Sequence, residues 1–134
     1  MKNTVFKGVG TAIVTPFHDD LTVDYESFGR LLDWQVAEGV NAIVVCGTTG
    51  EASTLTDDEH RDCIKFAVER VNGAVPIVAG TGSNDTAYAI DLTKHACEVG
   101  ADAVLLVTPY YNKATQKGLI KSFSDIADAS EKPC

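Results

Sequence analysis

The chain has 134 residues, of which 45% are hydrophobic and 22% are charged, a composition typical of one globular domain and not of a disordered or fibrous chain. The formal net charge of −8 at pH 7 disfavours nucleic acid and anionic membranes as main partners, because binding to phosphate groups needs clustered Lys and Arg. The apolar run from Val9 to Val14 is too short for a signal peptide or a membrane span, so we expect a cytoplasmic protein.

The first predicted βα unit has a strand over residues 8–15 and a helix that begins after Asp24. Asp24 is a favourable N-cap residue, and the helical period ends at Gly39, a typical C-terminal stop. The residues expected to form the buried stripe of this helix are Phe28, Leu31, Leu32 and Val36.

The second unit has a strand over residues 41–46 and the most clearly marked helix of the chain. Thr56 and Glu59 form a capping-box pattern at the start of this helix, and Asn72 followed by Gly73 ends it. The expected apolar face of the helix consists of Cys63, Ile64, Ala67 and Val71.

The third and fourth units have predicted strands over residues 76–80 and 102–108. The third helix is expected to begin near Asn84 and to end at Gly100, and the fourth to span residues 115–129. The apolar positions are Ala89, Ile90, Ala96 and Cys97 in the third helix, and Leu119, Ile120, Phe123 and Ile126 in the fourth.

The predicted strands start near residues 8, 41, 76 and 102, and residues 131–134 are expected to open a fifth strand. This repeat of roughly 25 to 35 residues is that of the βα units in an eight-fold barrel. The pattern therefore favours an α/β fold in which residues 1–134 form about the first four units of a parallel (β/α)8 TIM barrel. An open flavodoxin-like sheet has the same order of elements, so the loops have to decide between the two folds.

The loop after the second strand, residues 47–51, has the sequence Gly-Thr-Thr-Gly-Glu. Active sites of parallel α/β folds lie at this end of the strands. Two glycines allow a close backbone turn, and amide N–H groups with two hydroxyls can hold a carboxylate. The loop is therefore a candidate anion site, and the alternative is an ordinary βα turn, in which Gly and Thr are common.

The loop after the fourth strand carries two adjacent tyrosines, Tyr110 and Tyr111. Adjacent side chains at the end of a strand point in different directions, so one ring can pack while the other offers its hydroxyl to a site or to a neighbouring subunit. Packing of both rings is the alternative.

Other sites receive little support from the sequence. Residues 80–85 nearly match the dinucleotide-binding fingerprint but place Asp85 where the third glycine is needed, and the chain has no P-loop sequence. No CxxC pair or His at zinc-ligand spacing accompanies the four cysteines, and the three histidines lie in different segments. We therefore expect free thiols, no metal and no cofactor.

Four segments resemble the dihydrodipicolinate synthase family, in the same order along the chain: residues 10–17, 47–51, 79–84 and 107–112. The resemblance covers essentially all 134 residues. It implies a TIM-barrel class I aldolase that condenses pyruvate with aspartate β-semialdehyde through a Schiff base, in the diaminopimelate route to lysine. It also implies a homo-oligomer, with the tight dimer and the tetramer of the family.

The resemblance assigns roles to three residues. Thr48 resembles the threonine of a catalytic proton relay, and Thr49 is similar to the threonine that binds the pyruvate carboxylate. Tyr111 resembles the catalytic tyrosine that crosses a tight dimer interface and completes the relay in the neighbouring subunit, while Tyr110 stays in its own packing layer. Related N-acetylneuraminate lyases, the alternative within the superfamily, carry Ser-Thr where this chain has Thr48 and Thr49, and lack the Tyr-Tyr-Asn string.

The lysine that forms the Schiff base in this family lies on the sixth strand. None of the eight lysines here is predicted to point inward from the end of a strand, and Lys113, the nearest candidate, lies beyond the loop tyrosines. We therefore expect the N-terminal portion of a longer synthase that is inactive by itself. The alternative is that the 134-residue chain is a natural product, which acts either as a non-catalytic half-barrel or as one that assembles with copies of itself or with a complementary half.

The resemblance also bears on feedback inhibition by lysine. Lysine-regulated members use a His and a Glu at the positions of Asp57 and Tyr88, together with residues matching His60, Asn84 and Tyr110. This chain keeps the last three but not the first two. Weak inhibition by lysine is therefore expected.

Overall fold

In the computed structural model, which describes residues 4–134, four parallel strands alternate with four α-helices. The strands are β1 (Gly10–Ala12), β2 (Ala42–Val45), β3 (Ile77–Gly80) and β4 (Ala103–Leu105). The helices are α1 (Tyr25–Ala37), α2 (Asp57–Val71), α3 (Thr86–Glu98) and α4 (Gln116–Ala129), and a short 3₁₀-helix covers Ala52–Thr54.

The strand order decides between the two candidate folds. The strands pair in the order of the sequence, β1-β2-β3-β4, and every pairing is parallel. A flavodoxin-like sheet would place its first strand between the second and the third. The sequential order is that of consecutive units in a (β/α)8 barrel, so the predicted fold class is confirmed.

Side chains of the sheet alternate between two faces. Ile43, Val45 and Ile77 lie on the face that packs against the helices, in a core with Phe28, Leu32, Ile64 and Leu92. Neighbouring positions in the strands point the opposite way, towards what would be the interior of a closed barrel. On this second face Leu105 is 46% exposed.

Two helix starts follow the predicted caps. The Asp24 carboxylate accepts a hydrogen bond from the Ser27 N–H, and Thr56 forms the complete capping box with Glu59. The Thr115 hydroxyl accepts from the Gly118 N–H. Neither Thr115 nor Asp85, the N-cap of α3, was predicted as a cap. The Asp85 carboxylate accepts from the N–H groups of Ala87 and Tyr88, and α3 begins at Thr86, close to the predicted start near Asn84.

The predicted apolar faces are confirmed most fully in α2, where all four expected residues are buried. In α1 Phe28 and Leu32 are buried. The expectation for α4 is wrong at Ile120, which is 67% exposed, and Ile126 is the buried residue of this helix. α4 packs against α3 but has no helix on its other side within the described residues, so part of its apolar face stays open.

The strands are shorter than the apolar runs that predicted them. β1 covers three of the eight residues from 8 to 15, and β4 three of the seven from 102 to 108. The apolar run is longer than the strand because residues beyond the strand ends pack against their neighbours without forming backbone hydrogen bonds to another strand. A backbone hydrogen bond is also present on the free edge of β4, where the fifth strand is predicted. The Val104 N–H donates to the Pro133 carbonyl at 2.9 Å.

Between residues 4 and 134, no helix is both long and apolar enough to cross a membrane.

Candidate functional site

The loops that follow β2, β3 and β4 meet at the carboxyl edge of the sheet, around a cavity of about 630 Å³. Thr48 from the first loop, Ser83 from the second and Tyr110 from the third are among its lining residues. The two loops singled out in the sequence therefore lie at the same edge. Thr49 and Tyr111 belong to these loops but do not line the cavity.

A close approach of two strand ends brings the loops together. A Cβ atom placed on Gly80 would lie 2.1 Å from the carbonyl oxygen of Cys46, a distance that no side chain tolerates. Only glycine at this position lets the end of β3 touch the end of β2.

The loop over residues 47–51 is a tight turn. The Glu51 N–H donates to the Thr48 carbonyl at 3.1 Å, which leaves Thr49 and Gly50 as the two central residues of a β-turn. Cys46 before the turn and Glu51 after it both have a left-handed backbone, with φ of 53° and 54°. Such a conformation costs energy in residues other than glycine, and it is often found at functional sites.

The turn leaves hydrogen-bonding groups open to a ligand. Thr48 and Thr49 are both exposed. Within residues 4–134, neither their N–H groups nor their hydroxyls have a protein partner. The loop can therefore offer four donors to an anion without first breaking a bond of its own.

Tyr111 lies at the tip of the third loop. It is 97% exposed and has a φ of 69°, and the Asn112 N–H donates across it to the Tyr110 carbonyl at 2.9 Å. This i to i+2 bond at positive φ is that of a strained γ-turn. The amide of Asn112 also donates to the carbonyl of Asn84 at 2.8 Å, which anchors the turn to the loop after β3. Tyr111 is thus held outward by the backbone.

His60 is a buried residue that lines the cavity. Its Nε2 lies 2.8 Å from the Gly80 carbonyl, and since a carbonyl only accepts, the ring donates there. Burial lowers the pKa of His60, so the ring is neutral near pH 7. The sequence does carry a signal for this burial, because His60 lies at helical spacing from Ile64, Ala67 and Val71 on the buried face of α2.

Cys46 also borders the cavity, but it is not an activated nucleophile. A hydrogen bond with Cys63, together with burial, raises the pKa of the Cys46 thiol well above its ordinary value. The thiol therefore stays protonated at neutral pH. All four cysteines are free, as predicted.

Asp57 and Tyr88 form part of a charged cluster between α2 and α3. The Arg61 guanidinium donates to Asp57 at 2.9 Å and to Asp91 at 2.5 Å. Hydrogen bonds from Arg61 and from Tyr88 lower the pKa of Asp57. Burial and the bond to Asp57 raise the pKa of Tyr88 to about 12. The Asp57 carboxylate is thus already paired within the chain.

Among residues 4–134, no lysine lines the cavity. Of the seven lysines within residues 4–134, six are exposed and Lys132 is partly buried near the end of the chain. A lysine that forms a Schiff base needs an apolar environment that lowers its pKa. The described residues place no lysine in such an environment.

Sequence comparison identifies close relatives. Residues 5–134 match the dihydrodipicolinate synthetase family. The 4-hydroxy-tetrahydrodipicolinate synthase of Acetivibrio thermocellus is 54% identical over 133 residues, covering 99% of this chain and 45% of its own length. That of Geobacter metallireducens is 58% identical over 125 residues, covering 93% of this chain and 43% of its own length. The chain thus spans less than half the length of the curated relatives it matches.

Solved structures agree with the sequence comparison. The dihydrodipicolinate synthase of Aquifex aeolicus is 50% identical, with a TM-score of 0.93 over 96% of this chain and 43% of its own. The chloride-inhibited synthase of Acinetobacter baumannii, solved in complex with pyruvate, is 52% identical, with a TM-score of 0.93 over 97% of this chain and 44% of its own. The sequence match, the strand order and these structures agree, and the chain belongs to the dihydrodipicolinate synthetase family.

Proposed function

We propose that the chain is the N-terminal part of a 4-hydroxy-tetrahydrodipicolinate synthase. The whole protein would condense pyruvate with aspartate β-semialdehyde through a Schiff base, in the diaminopimelate route to lysine, and would work in the cytoplasm. Curated relatives of that name at 54% and 58% identity support the reaction, and the pyruvate complex of the Acinetobacter baumannii enzyme supports the first substrate. The observation that carries the proposal is the turn at Thr48 and Thr49, whose donors are open at the carboxyl edge of the strands.

Thr49 is the proposed ligand of the pyruvate carboxylate. It is a central residue of the turn, its hydroxyl and N–H are both free, and a carboxylate accepts from several donors at once. The formal net charge of −8 makes such a local set of donors necessary, since the chain as a whole repels anions.

Thr48 and Tyr111 are proposed to pass protons. Thr48 lines the cavity, and this position supports a role for its hydroxyl as a proton donor or acceptor to the bound substrate. Tyr111 is almost fully exposed, and this exposure supports a role for its hydroxyl in the site of a second copy. A homo-oligomer follows from this proposal, with the tight dimer as the unit that completes each relay.

The nucleophile is proposed to come from outside these residues. In Schiff-base formation a neutral lysine amine attacks the ketone carbon of pyruvate, and water leaves as the C=N bond forms. The lysines within residues 4–134 do not line the cavity, and six of these seven are exposed. The sixth strand of the closed barrel would supply the reacting amine.

The product of the natural reading frame that contains this sequence provides the test. Incubated with pyruvate and aspartate β-semialdehyde, it should consume the two substrates together, as followed by mass spectrometry. Thr49→Val should raise the KM for pyruvate by at least about tenfold, because the hydrogen bond from the Thr49 hydroxyl to the charged carboxylate is lost. Pyruvate consumption that does not depend on the aldehyde, or cleavage of N-acetylneuraminate in its place, would contradict the proposal.

A further inference from the structure

Thr15 lies just beyond β1, with its hydroxyl buried beneath the turn at residues 47–51. Its side chain is only 4% exposed, and its Oγ1 donates to the Gly50 carbonyl at 2.7 Å, across 35 residues of sequence. The length is that of a strong hydroxyl–carbonyl bond. It ties the end of the first strand to the loop of the second.

The Gly50 carbonyl belongs to the turn that carries the proposed pyruvate site. Thr49 and Gly50 are its two central residues, and this carbonyl belongs to the Gly50–Glu51 peptide, whose N–H closes the turn on the Thr48 carbonyl. The side chains of Thr48 and Thr49 have no hydrogen bonds of their own in the part of the chain that the structure describes. Their directions are therefore set by the backbone alone.

Gly50 has little freedom to move by itself. A Cβ atom on this residue would lie 3.1 Å from the Cys46 nitrogen and 3.1 Å from the Ile13 carbonyl oxygen. The turn is thus packed against the ends of β1 and β2, and the Thr15 hydroxyl holds it on its buried side. Removing that hydroxyl leaves a buried acceptor without its partner, and the turn can regain a partner only by shifting.

We propose that Thr15 is a positioning residue for pyruvate binding: through the Gly50 carbonyl, its buried hydroxyl orients the turn that presents Thr48 and Thr49. This inference rests on the proposed function. It adds a residue that does not touch the substrate and lies 33 positions before Thr48 in the sequence. A misplacement of about 1 Å at a binding or reacting group is enough to change rates about 100-fold, so loss of the Thr15–Gly50 hydrogen bond can change activity.

The test compares Thr15→Val with Thr15→Ser in the product of the natural reading frame. Valine keeps the shape of threonine and removes the donor, so the KM for pyruvate should rise about tenfold or more while that for aspartate β-semialdehyde changes less than about twofold. Serine restores the hydroxyl without the methyl group. It should return the KM for pyruvate to within about threefold of wild type.

Thr93→Val is the matched control. Thr93 is fully buried on α3 and donates to the Thr81 hydroxyl at 2.8 Å, so the substitution removes an equally buried bond far along the chain from the turn. It should lower the melting temperature and leave the KM for pyruvate unchanged. If Thr15→Val does no more than this control, or if Thr15→Ser fails to restore the KM, Thr15 is structural only and the inference is wrong.

Gly50→Ala is the second variant if Thr15→Val does not fold, because a Cβ at residue 50 crowds the same peptide while the Thr15 hydroxyl stays in place. An unchanged KM for pyruvate in Gly50→Ala overturns the inference. A wild-type protein without synthase activity overturns the proposed function and this inference together. An active wild type with an unaffected Thr15→Val variant overturns the inference alone.

Discussion

Three residues of the proposed site use few of their hydrogen-bonding groups within residues 4–134. Thr48 and Thr49 are exposed on a turn flanked by left-handed Cys46 and Glu51. Tyr111 occupies a left-handed position of its own, at a φ of 69°. Backbone strain of about 1–3 kcal/mol per residue persists only where the surroundings enforce it. Here close-packed strand ends and the Asn84–Asn112 bonds do so.

Loss of a relay hydroxyl should affect turnover more than folding. In the protein from the natural reading frame, Thr48→Val and Tyr111→Phe should each lower kcat by about 10- to 1,000-fold, the usual range for a lost proton-transfer group. Steady-state kinetics and a melting curve of each variant provide the measurement. Tyr25→Phe is the control, because the Tyr25 ring packs against that of Phe66, with centroids 5.1 Å apart and the rings tilted, and Tyr25 does not line the cavity. A wild-type kcat in either variant removes that residue from the relay.

His60 should titrate below the ordinary value of 6.5, because burial disfavours its charged form. An NMR titration of the ring C–H signals measures this pKa, and His60→Gln identifies the signal to follow. A pKa at or above 6.5 would contradict the buried, neutral ring.

The same shift has a consequence for stability. Since the folded-state pKa lies below the unfolded value, the unfolded chain binds the proton first as pH falls. The free energy of unfolding should therefore decrease below about pH 6.5, by at most about 1.4 kcal/mol per pH unit, until the folded-state pKa is reached. His60→Gln should flatten this part of the profile.

At the scale of elements, the loop after β1 shows strain without an evident role. A bridge between Phe17 and Val23 closes a hairpin whose tip, Leu21, is 78% exposed and has a φ of 70°. The left-handed backbone conformation is sterically unfavourable for leucine, and asparagine tolerates it better.

Leu21→Asn should consequently raise the free energy of unfolding by about 1 kcal/mol. Leu21→Ala is the matched control, since it removes the exposed side chain but keeps a Cβ in the left-handed region, and it should give no such gain. Denaturant unfolding of the three proteins measures the difference. Equal stabilities of Leu21→Asn and wild type would show that the hairpin carries no strain at its tip.

Local signals predicted the helices well and the strands less well. Asp24 and Thr56 cap their helices as expected, because an N-cap acts within three residues of sequence. Strand ends depend on partners that are distant in sequence, so apolar runs overestimated β1 and β4. Ile120 was misjudged for a related reason: a helical period shows that a residue shares a face, not that another element covers it.

The candidate site was predicted in part. The turn at Thr48 and Thr49 stands out in the sequence because glycines and threonines follow a buried strand. The bond between Thr15 and Gly50 could not be predicted, since it joins residues 35 apart through one hydroxyl and one backbone carbonyl. The outward position of Tyr111 also depends on tertiary contacts, namely those of Asn112 with Asn84.

At the scale of the whole molecule, half of a barrel leaves apolar surface open. Leu105 on the inner face of the sheet and Ile120 on α4 are both exposed, and the edge of β4 has begun to pair with Pro133. Such surfaces are normally covered in a soluble protein. Within the proposed function, four further βα units would cover them and would supply the lysine.

The complete enzyme should be poorly inhibited by lysine. From the family resemblance, Tyr88 is expected to occupy the position of a carboxylate in lysine-regulated members, and Asp57, the nearest substitute, already accepts a hydrogen bond from Arg61. A lost charged hydrogen bond of about 1.5–3 kcal/mol weakens binding by roughly 10- to 150-fold. An inhibition titration checks this, and half-maximal inhibition at sub-millimolar lysine would contradict it.

A gain-of-function variant sharpens the test. Tyr88→Glu should increase sensitivity to lysine, whereas Tyr88→Gln, which has the same length without the charge, should not. Equal sensitivity of the two variants would show that the carboxylate at this position is not what binds the effector.

We propose that residues 1–134 carry the pyruvate-binding turn and part of the proton relay but not the nucleophile. Borohydride reduction in the presence of pyruvate, followed by peptide mapping, tests it most directly, because reduction makes a Schiff base permanent. The 134-residue chain should yield no adduct, and the product of the natural reading frame should yield one, on a lysine outside residues 1–134. A pyruvate adduct on any of the eight lysines of this chain would contradict the account.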